Sequence, residues 1–153
     1  MLAYLVEVLK SRIDIDIYAD LENHRSPSII TGMSYRPDLV LLFNNTVYVL
    51  ELTVGFETNL IKNVERKEEK YRNMILDLNQ QHSNVSFINL SIGALGIFSS
   101  HSTTFISMLK SMNFDDRELR FTMQKIMSIC IRTTYFIFCR RNKDWSVENY
   151  LNF

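Results

Sequence analysis

The stretch DLVLLFNNTVYVLELT, residues 38 to 53, constrains the fold more than any other part of the chain. Two runs rich in Val, Leu, Phe and Tyr flank an Asn44-Asn45 pair, and asparagine tolerates the left-handed backbone that a tight hairpin needs. Two antiparallel strands that are apolar on both faces need cover from both sides, which puts the hairpin inside a layered structure. With Asn44 and Asn45 at the turn, Phe43 opposes Thr46, Leu41 opposes Tyr48, Leu39 opposes Leu50 and Asp38 opposes Glu51. The two carboxylates then lie with their Cβ atoms about 5 Å apart. Val40, Leu42, Val47, Val49 and Thr53 share their face.

Two ionised groups at about 5 Å repel by roughly 3 kcal/mol at an effective dielectric near 20. That repulsion is relieved if one acid keeps a proton, if a cation sits between them, or if a basic side chain reaches in. A hard divalent ion such as Mg²⁺ suits an all-oxygen site of this kind. A plainer arrangement also satisfies the residues: Asp38 caps the strand entrance after Pro37, and Glu51 pairs with Arg36 or a helix lysine. Geometry alone leaves both open.

The long segment after Gly55 supplies the third element. A helix is predicted from about Thr58 to Gln80, with Leu60, Val64, Tyr71, Met74 and Leu78 on one apolar stripe. The stripe has one vacancy, and Lys67 fills it; Lys70 lies on the flank. A lysine centred in a core-facing stripe either snorkels outward or meets a negative partner. This helix leaves the hairpin just after Glu51, so Lys67 and Lys70 are the basic side chains placed to reach Asp38, Glu51 and Thr53.

The remaining chain reads as a first helix over residues 1 to 10, a strand in RIDIDIYAD, a loop through LENHRSPSIITGMSY, a strand in VSFINLSIG, and two helices near 102–112 and 116–139. In RIDIDIYAD, Ile13, Ile15 and Ile17 alternate with Asp14, Asp16 and Tyr18, which predicts a half-solvated strand near a sheet edge. Asp115 or Asp116 is placed to cap the last helix. This order predicts an α/β fold with a mixed sheet flanked by helices, two of them C-terminal. Four Gly and two Pro in 153 residues leave little room for a linker, so residues 1–153 are expected to form one domain.

Pro37-Asp38 followed by Glu51-Leu52-Thr53 resembles the PD-(D/E)XK nuclease superfamily, whose restriction-endonuclease-like fold has an αβββαβ core. The longer run RPDLVLLFNNTVYVLELTVGFETNLIKNVERKEEKY is more similar to endonuclease-like domains associated with animal retrotransposon reverse transcriptases. SIGALGIF and CRRNKDW are looser echoes of the same group. The resemblance implies a DNA endonuclease or nickase using Mg²⁺ or Mn²⁺, the ion held by Asp38, Glu51 and the backbone carbonyl of Leu52. Thr53 stands where the superfamily has its lysine. In several branches an equivalent lysine comes from the neighbouring helix, so the resemblance carries that role to Lys67, with Lys70 as second choice. It implies DNA as partner, a reverse transcriptase or other domain of a larger polyprotein as a further one, and leaves a homodimer open.

Other features weigh less or point elsewhere. Lys+Arg and Asp+Glu balance at 17 each, so no global field draws the chain to nucleic acid. That balance, with Thr53, favours the alternative of a catalytically silent nucleic-acid- or protein-binding module on the same fold. No basic leader and no run of about 18 apolar residues is present, so an intracellular protein, nuclear or cytoplasmic, without a membrane span is expected. Glycosylation sequons at Asn44, Asn84 and Asn89 then mean little. Cys130 and Cys139 lack metal-ligand spacing and read as reduced, buried thiols. His24, His82 and His101 share no metal spacing, and the serines around His101 lack a nucleophile-elbow pattern. Arg140, Arg141 and Lys143 beside Trp145 suit either a helix C-terminus or a phosphate backbone. Glu7 on the first helix is a further candidate acid for the site.

Overall fold

A computed structural model describes residues 1–12 and 14–144, without the side chains of 142–144. The elements run α1 (Leu2–Lys10), β1 (Asp16–Ala19), α2 (Ser28–Thr31), β2 (Leu39–Phe43), β3 (Thr46–Gly55), α3 (Glu57–Gln81), β4 (Asn84–Gly93), a 3₁₀ turn (Ser100–Ser102), α4 (Thr103–Ser111) and α5 (Asp116–Asp144). The four strands form one mixed sheet in the order β1-β2-β3-β4. The β1–β2 and β2–β3 pairs are antiparallel, and β3 and β4 are parallel, joined by α3.

The hairpin has the expected register, from Phe43 opposite Thr46 to Leu39 opposite Leu50. Asn44 and Asn45 both adopt left-handed backbone, with φ of 47° and 57°. The sheet is covered on both sides, as its doubly apolar strands require. On one face Leu39, Leu41, Leu50, Ile88, Leu90 and Ile92 pack with residues of α1, α4 and α5. On the other, Val40, Val47 and Val49 pack under Tyr71, Met74 and Leu78 of α3. The stripe on α3 is buried at Leu60, Val64, Tyr71, Met74 and Leu78, as its spacing predicts.

Several local readings differ. The first strand is shorter than RIDIDIYAD, and Ile13 lies outside the described residues. It does form the sheet edge, but Tyr18 is buried in the core under α3 rather than solvated. The segment read as loop contains the short helix α2, which follows Pro27 and ends at Gly32 with φ of 86°. Pro27 fixes a helical φ without needing an N–H partner, which starts such a turn cheaply.

Asp115, rather than Asp116, caps α5. Its Oδ1 accepts from the Glu118 N–H at 2.7 Å, and Glu118 Oε2 accepts from the Asp115 N–H at 2.9 Å, a reciprocal capping box. Both cysteines are free thiols, but only Cys130 is buried; Cys139 is partly exposed on α5. Arg140 and Arg141 are exposed near the end of α5, while the Lys143 side chain and Trp145 lie outside the described residues. Among the described residues no helix is long and apolar enough to cross a membrane.

The hairpin turn offers a direct test. A β-branched residue resists the left-handed region, so Asn45→Val is expected to lower stability by about 1–2 kcal/mol, read as a shift in urea midpoint. An unchanged midpoint would contradict the turn geometry.

Candidate active site

The site arises where two strands part. β2 begins at Leu39 and pairs with β3 only as far as Leu50, whereas β4 stays beside β3 through Gly55. From Glu51 onward β3 has lost its antiparallel neighbour, yet backbone groups on that side still need partners. The two acids provide them. Glu51 Oε2 accepts from the Asp38 N–H at 3.2 Å, and Asp38 Oδ2 accepts from the Leu52 N–H at 2.7 Å. Each carboxylate reaches to the other's strand and completes a ladder that the backbone has stopped making.

The Leu52 carbonyl, exposed by the same divergence, accepts from Lys67 Nζ at 2.5 Å. That ammonium also lies 3.1 Å from Glu51 Oε1. Lys67 therefore fills its stripe position by turning into a negative partner instead of snorkelling, and its side chain is 21% exposed. Of the two plain partners for Glu51, the helix lysine is the one used; Arg36 pairs with Asp20 at 2.6 Å.

Lys70 does not reach an acid. It is exposed, donates to the Tyr71 hydroxyl at 3.1 Å and sits 4.7 Å above that ring's centroid. The Tyr71 hydroxyl lies 3.4 Å from Glu51 Oε1 and 3.3 Å from the Arg36 carbonyl, so its single proton serves one or the other. Thr53 shares the face of Glu51 and is buried, but among the described residues its hydroxyl has no hydrogen-bond partner. Glu7 is removed from the site: it is exposed on α1, across the sheet, and pairs with Lys10 at 3.6 Å.

Two residues of this corner were not singled out by the sequence. Tyr71 reads as one more apolar stripe position; its signal is a hydroxyl one helical turn beyond Lys67. Asn89 reads as a sequon, yet it is 4% exposed on β4, directly beside Glu51 in the parallel register. Its signal is a polar side chain at an inward position of VSFINLSIG, on the face where Phe87 packs under α3.

Burial is the largest influence on Glu51 and raises its pKa above the ordinary 4.5; the charge of Asp38 adds to this, and Lys67 opposes both. Tyr71 is also raised, by burial first and by Glu51 second, so its hydroxyl stays protonated and remains a donor. Among the described residues no three His, Cys, Asp or Glu side chains gather as a metal cluster. The donors that do converge are the two carboxylates and the Leu52 carbonyl, all hard oxygens of the kind Mg²⁺ or Mn²⁺ takes alongside water. The Lys67 ammonium spans two of the three, so the corner already accommodates positive charge. The residues fit such an ion.

No protein-family model and no curated protein sequence matches the chain. Among solved structures it is similar to a chain from work on the structure and function of Toscana virus cap snatching endonucleases. The TM-score is 0.40, with 20% identity over 74% of this chain. The match spans 52% of that chain, about half its length.

The raised pKa of Glu51 fixes the sign of a pH effect. Between 4.5 and its raised value the native state keeps a proton that the unfolded chain has released. Stability contributed by this group is therefore complete below 4.5 and is lost as pH rises through the folded value. In chelator-treated protein, Glu51→Gln should lack that loss and gain stability relative to wild type as pH rises. Parallel urea-midpoint profiles for the two proteins would refute it.

Proposed function

We propose that this chain is a metal-dependent endonuclease or nickase that hydrolyses phosphodiester bonds in DNA. One observation carries the reading: a lysine from a core-facing helix stripe converges with Asp38, Glu51 and the Leu52 carbonyl at the point where β2 leaves β3. Stability alone gives little reason for such a cluster, because a buried ion pair is seldom better than apolar packing of the same volume. Reactive sites do collect carboxylates and an ammonium in this way.

Asp38, Glu51 and the Leu52 carbonyl would hold Mg²⁺ or Mn²⁺, which when bound polarises a phosphate and lowers the pKa of a water. Lys67 supplies positive charge beside the scissile group, where it stabilises the charge that develops there. The Tyr71 hydroxyl, within reach of Glu51 Oε1 and the Arg36 carbonyl, lies beside Glu51, and Lys70 bears on Tyr71 rather than on substrate. The backbone bonds to Asp38 Oδ2 and Glu51 Oε2 hold both carboxylates in place, which preorganises the pair. Thr53 carries no charge and leaves the cationic role to the helix.

The balanced net charge gives the chain itself little attraction for a polyanion. A retroelement-type polyprotein in which a reverse transcriptase or other domain supplies DNA affinity accounts for that balance. A second reading, a catalytically silent binding module, is favoured by one specific feature: Glu51 already has a cation in Lys67 and needs no metal.

Nicking of supercoiled plasmid with Mn²⁺ or Mg²⁺ separates the two. The wild type should cleave, and Asp38→Ala and Lys67→Ala should each lose on the order of 100-fold or more in rate. Equal cleavage by wild type and Asp38→Ala would remove the site. No cleavage, together with no metal-induced thermal stabilisation, would favour the silent module.

A further inference from the structure

Lys67 Nζ lies on two of the three oxygens that the nuclease reading gives to a metal ion, Glu51 Oε1 at 3.1 Å and the Leu52 carbonyl at 2.5 Å. An ammonium and a divalent cation cannot share those oxygens at contact distance, because like charges so close repel strongly. Metal entry therefore requires the lysine to leave. A lysine that leaves a buried corner needs new acceptors, since an unpaired ammonium there is costly.

Such acceptors lie next door and are unused. Asn89 is the parallel-register partner of Glu51, and Thr53 is two residues along β3 on the same face. Both residues are 4% exposed, and among the described residues Asn89 Oδ1, Asn89 Nδ2 and Thr53 Oγ1 have no hydrogen-bond partner. Leaving a buried polar group unsatisfied costs about 1–3 kcal/mol. Two such residues flanking one carboxylate are an expensive arrangement unless something comes to them. Neighbouring strands lie about 4.8 Å apart, a step that the flexible four-carbon stem of lysine covers by changing rotamer.

We propose that Asn89 and Thr53 form a second seat for the Lys67 ammonium, so that the lysine guards the acids in the metal-free protein and moves onto Asn89 Oδ1 and Thr53 Oγ1 when a divalent ion binds. The proposal rests on the metal-dependent reading of the site. It makes Asn89 a positioning residue that acts through Lys67. It also gives the buried acid pair a counter-ion of its own before metal arrives, with the lysine kept close by for the reaction afterwards. Metal affinity then carries the cost of displacing an internal competitor.

The test is a double-mutant cycle on Mn²⁺ affinity, measured by calorimetry on folded, metal-stripped protein, with Lys67→Met, Asn89→Leu and the double variant. Removing the competitor, Lys67→Met should bind Mn²⁺ about tenfold more tightly. Removing the second seat, Asn89→Leu should bind it about fivefold more weakly, although deleting an unsatisfied amide leaves the metal-free protein as stable as wild type or more so. In the Lys67→Met background, Asn89→Leu should have no effect. Thr53→Val should act in the same direction as Asn89→Leu, and Lys67→Gln replaces Lys67→Met if the latter does not fold.

The proposal fails if Lys67→Met weakens Mn²⁺ binding, which would make the lysine a structural support of the site. It fails equally if Asn89→Leu lowers affinity by the same factor in both backgrounds, as an amide or ordered water touching the metal directly would require. Mn²⁺ binding by wild type with no coupling between the two positions overturns this inference alone. Absence of Mn²⁺ binding in every variant overturns the metal-dependent reading with it.

Discussion

The parting of β2 from β3 after the Leu39–Leu50 pair is the constraint on which the rest of the site depends. A sheet that stayed zipped would have spent the N–H and C=O of Leu52 on its neighbour. Because the strands separate, the N–H is taken by Asp38 and the carbonyl by Lys67. The same separation lets each acid bond to the backbone of the opposite strand. Two carboxylates that would otherwise be a liability become the clasp that ends the hairpin. The second oxygen of Glu51 is then the one that meets Lys67 of α3.

The energetics of that clasp decide what the cluster is for. Opposite charges 3.1 Å apart attract by about 5 kcal/mol at an effective dielectric of 20. Desolvating the two ions costs several kcal/mol each, so the pair roughly breaks even as a contribution to folding. The raised pKa of Glu51 says the same from the carboxylate's side: burial and Asp38 together outweigh Lys67. An apolar pair of the same volume often packs as stably, but here it would leave the Asp38 N–H and the Leu52 carbonyl without these partners. What the charged version offers that an apolar one does not is a carboxylate that gains from positive charge brought to it.

Much of this was legible in the sequence, and the exceptions have physical causes. The hairpin register follows from Asn44-Asn45 because both residues tolerate left-handed backbone, and it puts Asp38 and Glu51 next beyond the last ladder pair, where they bond through the Glu51 carboxylate. Lys67 announces itself as the polar member of an otherwise apolar stripe. The strand–helix–strand connection through α3 follows from periodicity. Asn89 was not legible, because its importance comes from the parallel pairing of β3 with β4, and nothing local in VSFINLSIG sets that register. Tyr71 was hidden for the opposite reason: its ring satisfies the stripe so well that the hydroxyl carries no separate signal. The burial of Tyr18 was lost to tertiary context: it keeps the alternation, opposite Ile15 and Ile17, but its face of the sheet is covered by α3.

Thr53 stands where the pattern that the sequence resembles has a strand lysine, and the proposed transfer of that role to Lys67 has a mechanical consequence. A lysine at position 53 would rise from the sheet two residues from Glu51, anchored to a rigid backbone on the same strand as that acid. Lys67 instead descends from a helix, so its ammonium arrives at the end of a long, rotatable stem whose base is fixed by Val64 and Tyr71 on either side. A fixed base with a rotatable stem is what the proposed second seat on Asn89 and Thr53 requires. The small uncharged Thr53 then contributes by what it leaves behind, room beside Glu51 and a hydroxyl without a partner. On this view the departure from the acid-x-lysine pattern relocates the positive charge to an element that can move, and the unsatisfied amide of Asn89 is the counterpart that such movement needs.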